Sequence, residues 1–124
     1  MIGAIIGDIV GSRFEWDNHR SKDFDLLTHK CFFTDDSVMS LAVCDALMKC
    51  QGGYSDLGEQ AIRSMQSVGR PYPHCGYGGS FQRWMYSDNP APYNSYGNGA
   101  AMRVSGCGYV GRTIDEVKQL SRSV

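Results

Sequence analysis

An all-α fold is predicted for this chain, and three observations predict it. Apolar residues recur at helical spacing in several separate stretches. Capping and stop residues bracket those stretches. No segment alternates apolar and polar residues with the period of a strand. At 124 residues the chain is long enough for one hydrophobic core, so residues 1–124 read as a single domain, a compact orthogonal helical bundle.

Each element follows from local signals. Ile2, Ile5, Ile6, Ile9 and Val10 share one helical face, which predicts a helix over residues 2–10. Gly3, Gly7 and Gly11 form a second, side-chain-free stripe. Glycine is a poor helix former, so the stripe predicts close approach of another helix or a ligand. Asp8 lies beside that stripe and is expected to be partly buried. Residues 12–30 are polar and irregular and read as a long loop, a setting that often carries function.

Thr34 or Asp35 is the expected N-cap of a central helix running to about Cys50, ended by Gly52-Gly53. A third helix starts at Ser55 or Asp56, with Glu59 as the capping-box partner and Leu57, Ala61, Met65 and Val68 on its buried face. Arg70-Pro71-Tyr72-Pro73 breaks it. Gly76-Tyr77-Gly78-Gly79-Ser80 is a glycine-rich turn opening a short amphipathic segment, residues 81–86. A loop rich in Asn, Pro and Tyr follows. Gly97-Asn98-Gly99 opens another helix, residues 100–105, and Thr113 with Glu116 caps a last one with Ile114, Val117 and Leu120 on one face.

The net charge of −1 gives no electrostatic footprint for nucleic acid or an anionic membrane, so neither is an expected partner. The five cysteines are odd in number and lack a CxxC pair. They read as buried free thiols in a reducing, cytoplasmic setting, and no histidine lies at zinc-ligand spacing from a cysteine pair. The apolar start is short, lacks a cationic leader and is interrupted by Asp8, so neither a signal peptide nor a membrane span is expected.

Chemistry concentrates at Thr34-Asp35-Asp36-Ser37, two carboxylates between two hydroxyls at the entrance of an apolar helix. Hard divalent cations such as Mg²⁺ take this all-oxygen donor type. The same residues also suit plain capping, because acidic residues favour a helix's first turn. The turns at residues 76–80 and 97–99 each precede a helix and offer free N–H groups to phosphate oxygens, although neither is a Walker A loop. Glu15, between Phe14 and Trp16, is a candidate acid or base as well as an ordinary loop glutamate. His19, His29 and His74 are scattered and read as surface or loop histidines.

Together these motifs are more specific than any one of them. Gly7-Asp8 with Gly11-Ser12-Arg13-Phe14-Glu15, then Thr34-Asp35-Asp36-Ser37, Gly76-Tyr77-Gly78-Gly79-Ser80-Phe81 and Gly97-Asn98-Gly99-Ala100-Ala101-Met102-Arg103 resemble the ADP-ribosylglycohydrolase family in order and spacing. The likeness spans essentially the whole chain. It implies an all-α fold, a binuclear Mg²⁺ site and hydrolysis of the bond joining ADP-ribose to its conjugate. By motif match, Thr34, Asp35 and Asp36 would be metal ligands, with Glu15 the acid/base and Asp35 and Asp36 sharing in catalysis. Ser37 stands where the family usually has threonine. Asp8, Glu15, Gly78, Gly79, Ser80, Phe81, Asn98, Gly99 and Met102 would contact the ligand.

The resemblance also implies a departure. Members of the family are about twice this length, and a C-terminal Asp-x-Asp-Thr/Ser cluster completes their metal pair. Here the sequence ends at Ser121-Arg122-Ser123-Val124, and capping already explains Asp115-Glu116. The expected Mg²⁺ site is therefore incomplete. The expected function is binding of an ADP-ribose-type nucleotide, cyclic ones included, with little turnover, so that it is sequestered or sensed. The alternative is a Mg²⁺-dependent hydrolase whose site another chain completes. A ligand-free interaction module is the third reading. A truncated fold of this kind exposes apolar surface, so a homo-oligomer is expected under all three.

Overall fold

Seven α-helices and three 3₁₀ turns, without a strand, carry residues 1–124 in the computed structural model. The all-α expectation holds. The helices are α1 (Ile2–Gly11), α2 (Asp35–Lys49), α3 (Leu57–Gly69), α4 (Gly79–Met85), α5 (Gly99–Met102), α6 (Cys107–Val110) and α7 (Ile114–Ser123). The 3₁₀ turns are Ser12–Phe14, Tyr54–Asp56 and Val104–Gly106.

The centre of the molecule is the α2–α3 pair. Thr34 sits in an extended conformation ahead of α2, and its hydroxyl accepts the Asp36 N–H at 3.4 Å, a side-chain N-cap. Apolar residues cover most of α2, so Met39, Ala42, Val43, Ala46 and Leu47 are buried. Gln51 and Gly52 then take positive φ angles of 49° and 89°, which turns the chain back. Leu57, Ala61 and Met65 of α3 pack on α2, and Cys107 and Leu120 close the cluster from α6 and α7. The end of α3 packs tightly on α4. A Cβ on Gly69 would fall 2.4 Å from the Met85 sulfur and 2.9 Å from Met39 Cε.

The structure corrects several local expectations. In α1 only Val10 is buried, while Ile2 and Ile6 are 75% and 48% exposed. Nothing lies within 4 Å of a Cβ built on Gly3, Gly7 or Gly11, so the smooth stripe faces open space. The reason is that α1 packs against α2 alone among the longer helices, and one neighbour covers one strip of a helix. Asp56 does not complete a capping box. It accepts from the Gln60 amide at 3.0 Å, and Glu59 pairs with Arg63 at 2.5 Å. The predicted helix over 100–105 is divided into α5 and a 3₁₀ turn. The Thr113 cap forms as predicted, accepting from Glu116 N–H at 3.2 Å, but Ile114 points outward at 75% exposure.

The core is small for the chain. Only 21 of 124 residues are buried, and the accessible surface is 8412 Å². A folded monomer of this mass exposes about 6,600 Å² by the usual scaling, so roughly 1,800 Å² is in excess. All five cysteines are free. No helix is long and apolar enough to cross a membrane.

Candidate functional site

The site begins with one carboxylate in α1. Asp8 accepts four hydrogen bonds from the α2 entrance: Thr34 N–H at 2.8 Å, Thr34 hydroxyl at 2.5 Å, Ser37 N–H at 3.2 Å and Ser37 hydroxyl at 2.5 Å. A helix start leaves its first N–H groups without intrahelical partners, and an acidic group there is favoured by the helix dipole. Asp8 thus clamps α1 to α2. It was expected to contact ligand; three of these bonds fall on Oδ2 and one on Oδ1, and it does not line the cleft described below. Its position assigns it to holding the acidic tetrad in place.

A second tie links the tetrad to the glycine-rich turn. The Asp35 N–H donates to the Cys75 carbonyl at 2.8 Å. Gly76 follows with φ +108°, and a Cβ there would come within 3.2 Å of an Asp35 carboxylate oxygen. The φ angle calls for glycine, and the turn passes tightly against the Asp35 carboxylate.

The loop carrying Glu15 is folded around its neighbour. Arg13 donates to the Thr28 hydroxyl at 2.8 Å and to the Asp25 carbonyl. Its guanidinium lies 4.5 Å from the centre of the Phe14 ring and 5.7 Å from that of Phe24, and His19 stacks on Phe14. Ser12 accepts the Phe32 N–H at 3.1 Å and so returns the loop to the end of α1.

These segments enclose one cleft of about 880 Å³. Glu15, Asp35 and Asp36 line it, as do Gly78, Gly79, Ser80 and Phe81 from the glycine turn and α4. Asn98, Gly99 and Met102 line it from α5. Sequence segments up to 109 residues apart, from Glu15 to Val124, therefore meet at one concavity. Thr34 is buried behind the wall rather than on it, because its hydroxyl serves Asp8 and the Asp36 N–H.

Burial pushes the Asp35 carboxyl up to about 6, with Asp36 next in effect and Glu15 and Asp8 adding smaller repulsion. Asp36 is raised too, by burial first and by Asp8 second. Two carboxylates that repel each other at a partly desolvated wall are a place where a cation is stabilised. No group of three or more acidic, histidine or cysteine side chains is gathered into a metal cage, however. Asp35 and Asp36 offer carboxylate oxygens, and Thr34 has little donor capacity left. The donor set fits a hard divalent cation only if water or ligand oxygens fill its other positions.

Sequence reasoning missed Trp84, Tyr93 and Tyr96, which also line the cleft. Trp84 stacks on Phe81, their ring centres 5.3 Å apart. The i, i+3 spacing of Phe81 and Trp84 on a short helix was the available signal.

The all-helical chain brings an acidic wall and two glycine turns to one cleft. The chain belongs to the ADP-ribosylglycohydrolase family, whose model matches residues 1–124. No significant match was found among curated proteins or among solved structures.

Proposed function

We propose that residues 1–124 form one domain that binds an ADP-ribose-type nucleotide, cyclic forms included, and sequesters or senses it with little turnover. One observation carries this reading. Of the nine residues expected to contact ligand, the eight other than Asp8 line a single cleft. Its volume, about 880 Å³, lies within the range of small-molecule sites. Its glycine turns leave backbone N–H groups accessible to phosphate oxygens.

In this reading Asp35 and Asp36 would hold Mg²⁺ jointly with ligand or water oxygens, Thr34 adding at most the one lone pair its bonds to Asp8 and the Asp36 N–H leave, and the ion would neutralise the acidic wall and orient the ribose hydroxyls. Asp8 and the Cys75 carbonyl keep the tetrad in register for that role. Calorimetric titration with ADP-ribose, in Mg²⁺ and again after EDTA, tests the proposal. Saturable binding that weakens with EDTA and with Asp36→Asn is expected. Absence of heat with ADP-ribose and with cyclic ADP-ribose nucleotides sinks it.

Hydrolysis is the second reading, favoured by Glu15 lying at the same cleft as Asp35 and Asp36. A separate chain or a second copy would then complete the donor set. Mg²⁺-dependent release of ADP-ribose from a conjugate, lost in Glu15→Ala, would establish it over simple binding.

The excess exposed surface supports self-association. It exceeds the roughly 800 Å² per partner that a standard interface buries. Light scattering is expected to give a homo-oligomer. The five free thiols support a cytoplasmic setting.

A further inference from the structure

Arg103 follows directly on α5 and lines the cleft. It is half-buried, its side chain takes part in no hydrogen bond, its Nε is enclosed without a partner, and no carboxylate is within ion-pair distance. The other arginines differ. Arg13, Arg63, Arg70 and Arg83 each donate to an oxygen of the chain. Arg20, Arg112 and Arg122 are exposed and are served by water.

A guanidinium partly withdrawn from water keeps part of its cost of desolvation until an anion meets it. Burial also draws the Arg103 guanidinium below the ordinary arginine range, with Tyr93 opposing the shift in smaller measure. Its immediate neighbour is an aromatic face, the Phe81 ring, with the guanidinium carbon 5.9 Å from the ring centre. That contact leaves the donors of the fork unused. Planar paired N–H donors match the oxygens of a phosphate. The cleft is therefore electrostatically two-sided. Asp35 and Asp36 suit a cation or hydroxyls, and Arg103 suits an anion.

We infer that Arg103 is an anion-recognition residue of the cleft, and that it receives a phosphate group of the bound molecule. The inference rests on the nucleotide reading for the identity of that molecule, but not for the presence of an anion site. It adds a charge-specific contact to the glycine turns, whose N–H groups are neutral donors.

The test compares wild type, Arg103→Gln, Arg103→Met and Arg122→Gln in titrations with ADP-ribose, inorganic pyrophosphate and adenosine. Arg122 serves as a control cation, because it lines the same cleft but is exposed. Loss of a charge-assisted pair is expected to weaken ADP-ribose and pyrophosphate by about 10- to 100-fold in Arg103→Gln. Adenosine affinity is expected to be unchanged, and Arg122→Gln to lose less than about threefold, as an exposed charge should. Arg103→Met is expected to melt no lower than wild type without ligand, since it removes an uncompensated buried charge.

Equal ADP-ribose affinity in wild type and Arg103→Gln would overturn the inference and leave the nucleotide reading standing. Pyrophosphate binding that depends on Arg103, without any binding of ADP-ribose, would do the reverse. Failure of both anions to bind wild type, or unfolding of Arg103→Met, would also overturn it, the latter by showing a structural role.

Discussion

Removing the Asp8 carboxylate should separate the two helices that carry the site. In Asp8→Ala the four hydrogen bonds from Thr34 and Ser37 are lost together, and two of their donors are backbone N–H groups at the start of α2. A hydrogen bond to a charged acceptor contributes about 1.5–3 kcal/mol, but bonds to one carboxylate are far from additive, and water reaches a half-buried position. The combined loss is therefore about 3 kcal/mol rather than the sum. That is a large share of the roughly 5–15 kcal/mol by which domains are stable, and corresponds to a melting-point drop of about 10 °C. Asp8→Asn keeps one carbonyl acceptor but turns an NH₂ group toward donors, so its loss should be intermediate, about 2 kcal/mol. Urea denaturation gives the values, with the midpoint moving and the slope unchanged. Ser37→Ala added to Asp8→Ala should cost little more, because the two share an interaction. A loss below about 1 kcal/mol in Asp8→Ala, or full additivity with Ser37→Ala, would refute the clamp.

The acidic wall predicts a pH dependence of opposite sign to that of most carboxylates. The folded Asp35 carboxyl, at about 6, holds its proton more tightly than the unfolded group at 3.8, so this residue costs stability as pH rises from about 4 to above 6. A shift of this size corresponds to about 3 kcal/mol, or about 1–2 kcal/mol once solvent screening of a half-exposed group is allowed for. Asp35→Asn should therefore be more stable than wild type at pH 7.5 and equal to it near pH 4, in urea titrations without divalent cation; a gap that stays constant with pH would contradict this. Gly76→Ala places a side chain at φ +108° and pushes on the Asp35 carboxylate. It should cost about 1–2 kcal/mol and weaken Mg²⁺-dependent nucleotide binding, and a wild-type melting curve with intact binding would count against it.

Much of the fold was legible because its signals are local. Thr113, and Thr34 as one of two candidates with Asp35, were placed as caps by a hydroxyl ahead of an acidic first turn, and both threonines accept the N–H that capping requires. The Gly52 stop and the Leu57, Ala61, Met65 face were readable for the same reason. Local signals failed where the neighbour decides. Ile2, Ile6 and Ile114 follow the helical period, but nothing in the sequence states whether a partner covers that side of the helix. Asp56 had two competing uses for its carboxylate, and Gln60 one turn later won over the box with Glu59.

The sequence by itself determined the family, the all-α class and the order of the motifs, since these depend on residue type and spacing along the chain. The tertiary structure decided which motif residues share a surface. It tied Asp8 to the start of α2 as a clamp, and it placed Glu15 from the 12–33 loop at one wall with the glycine turns. It also left the Arg103 Nε enclosed without a partner. Those outcomes depend on distances between segments far apart in sequence. Capping, periodicity and turn chemistry act over one or two helical turns, so only the packed chain fixes them.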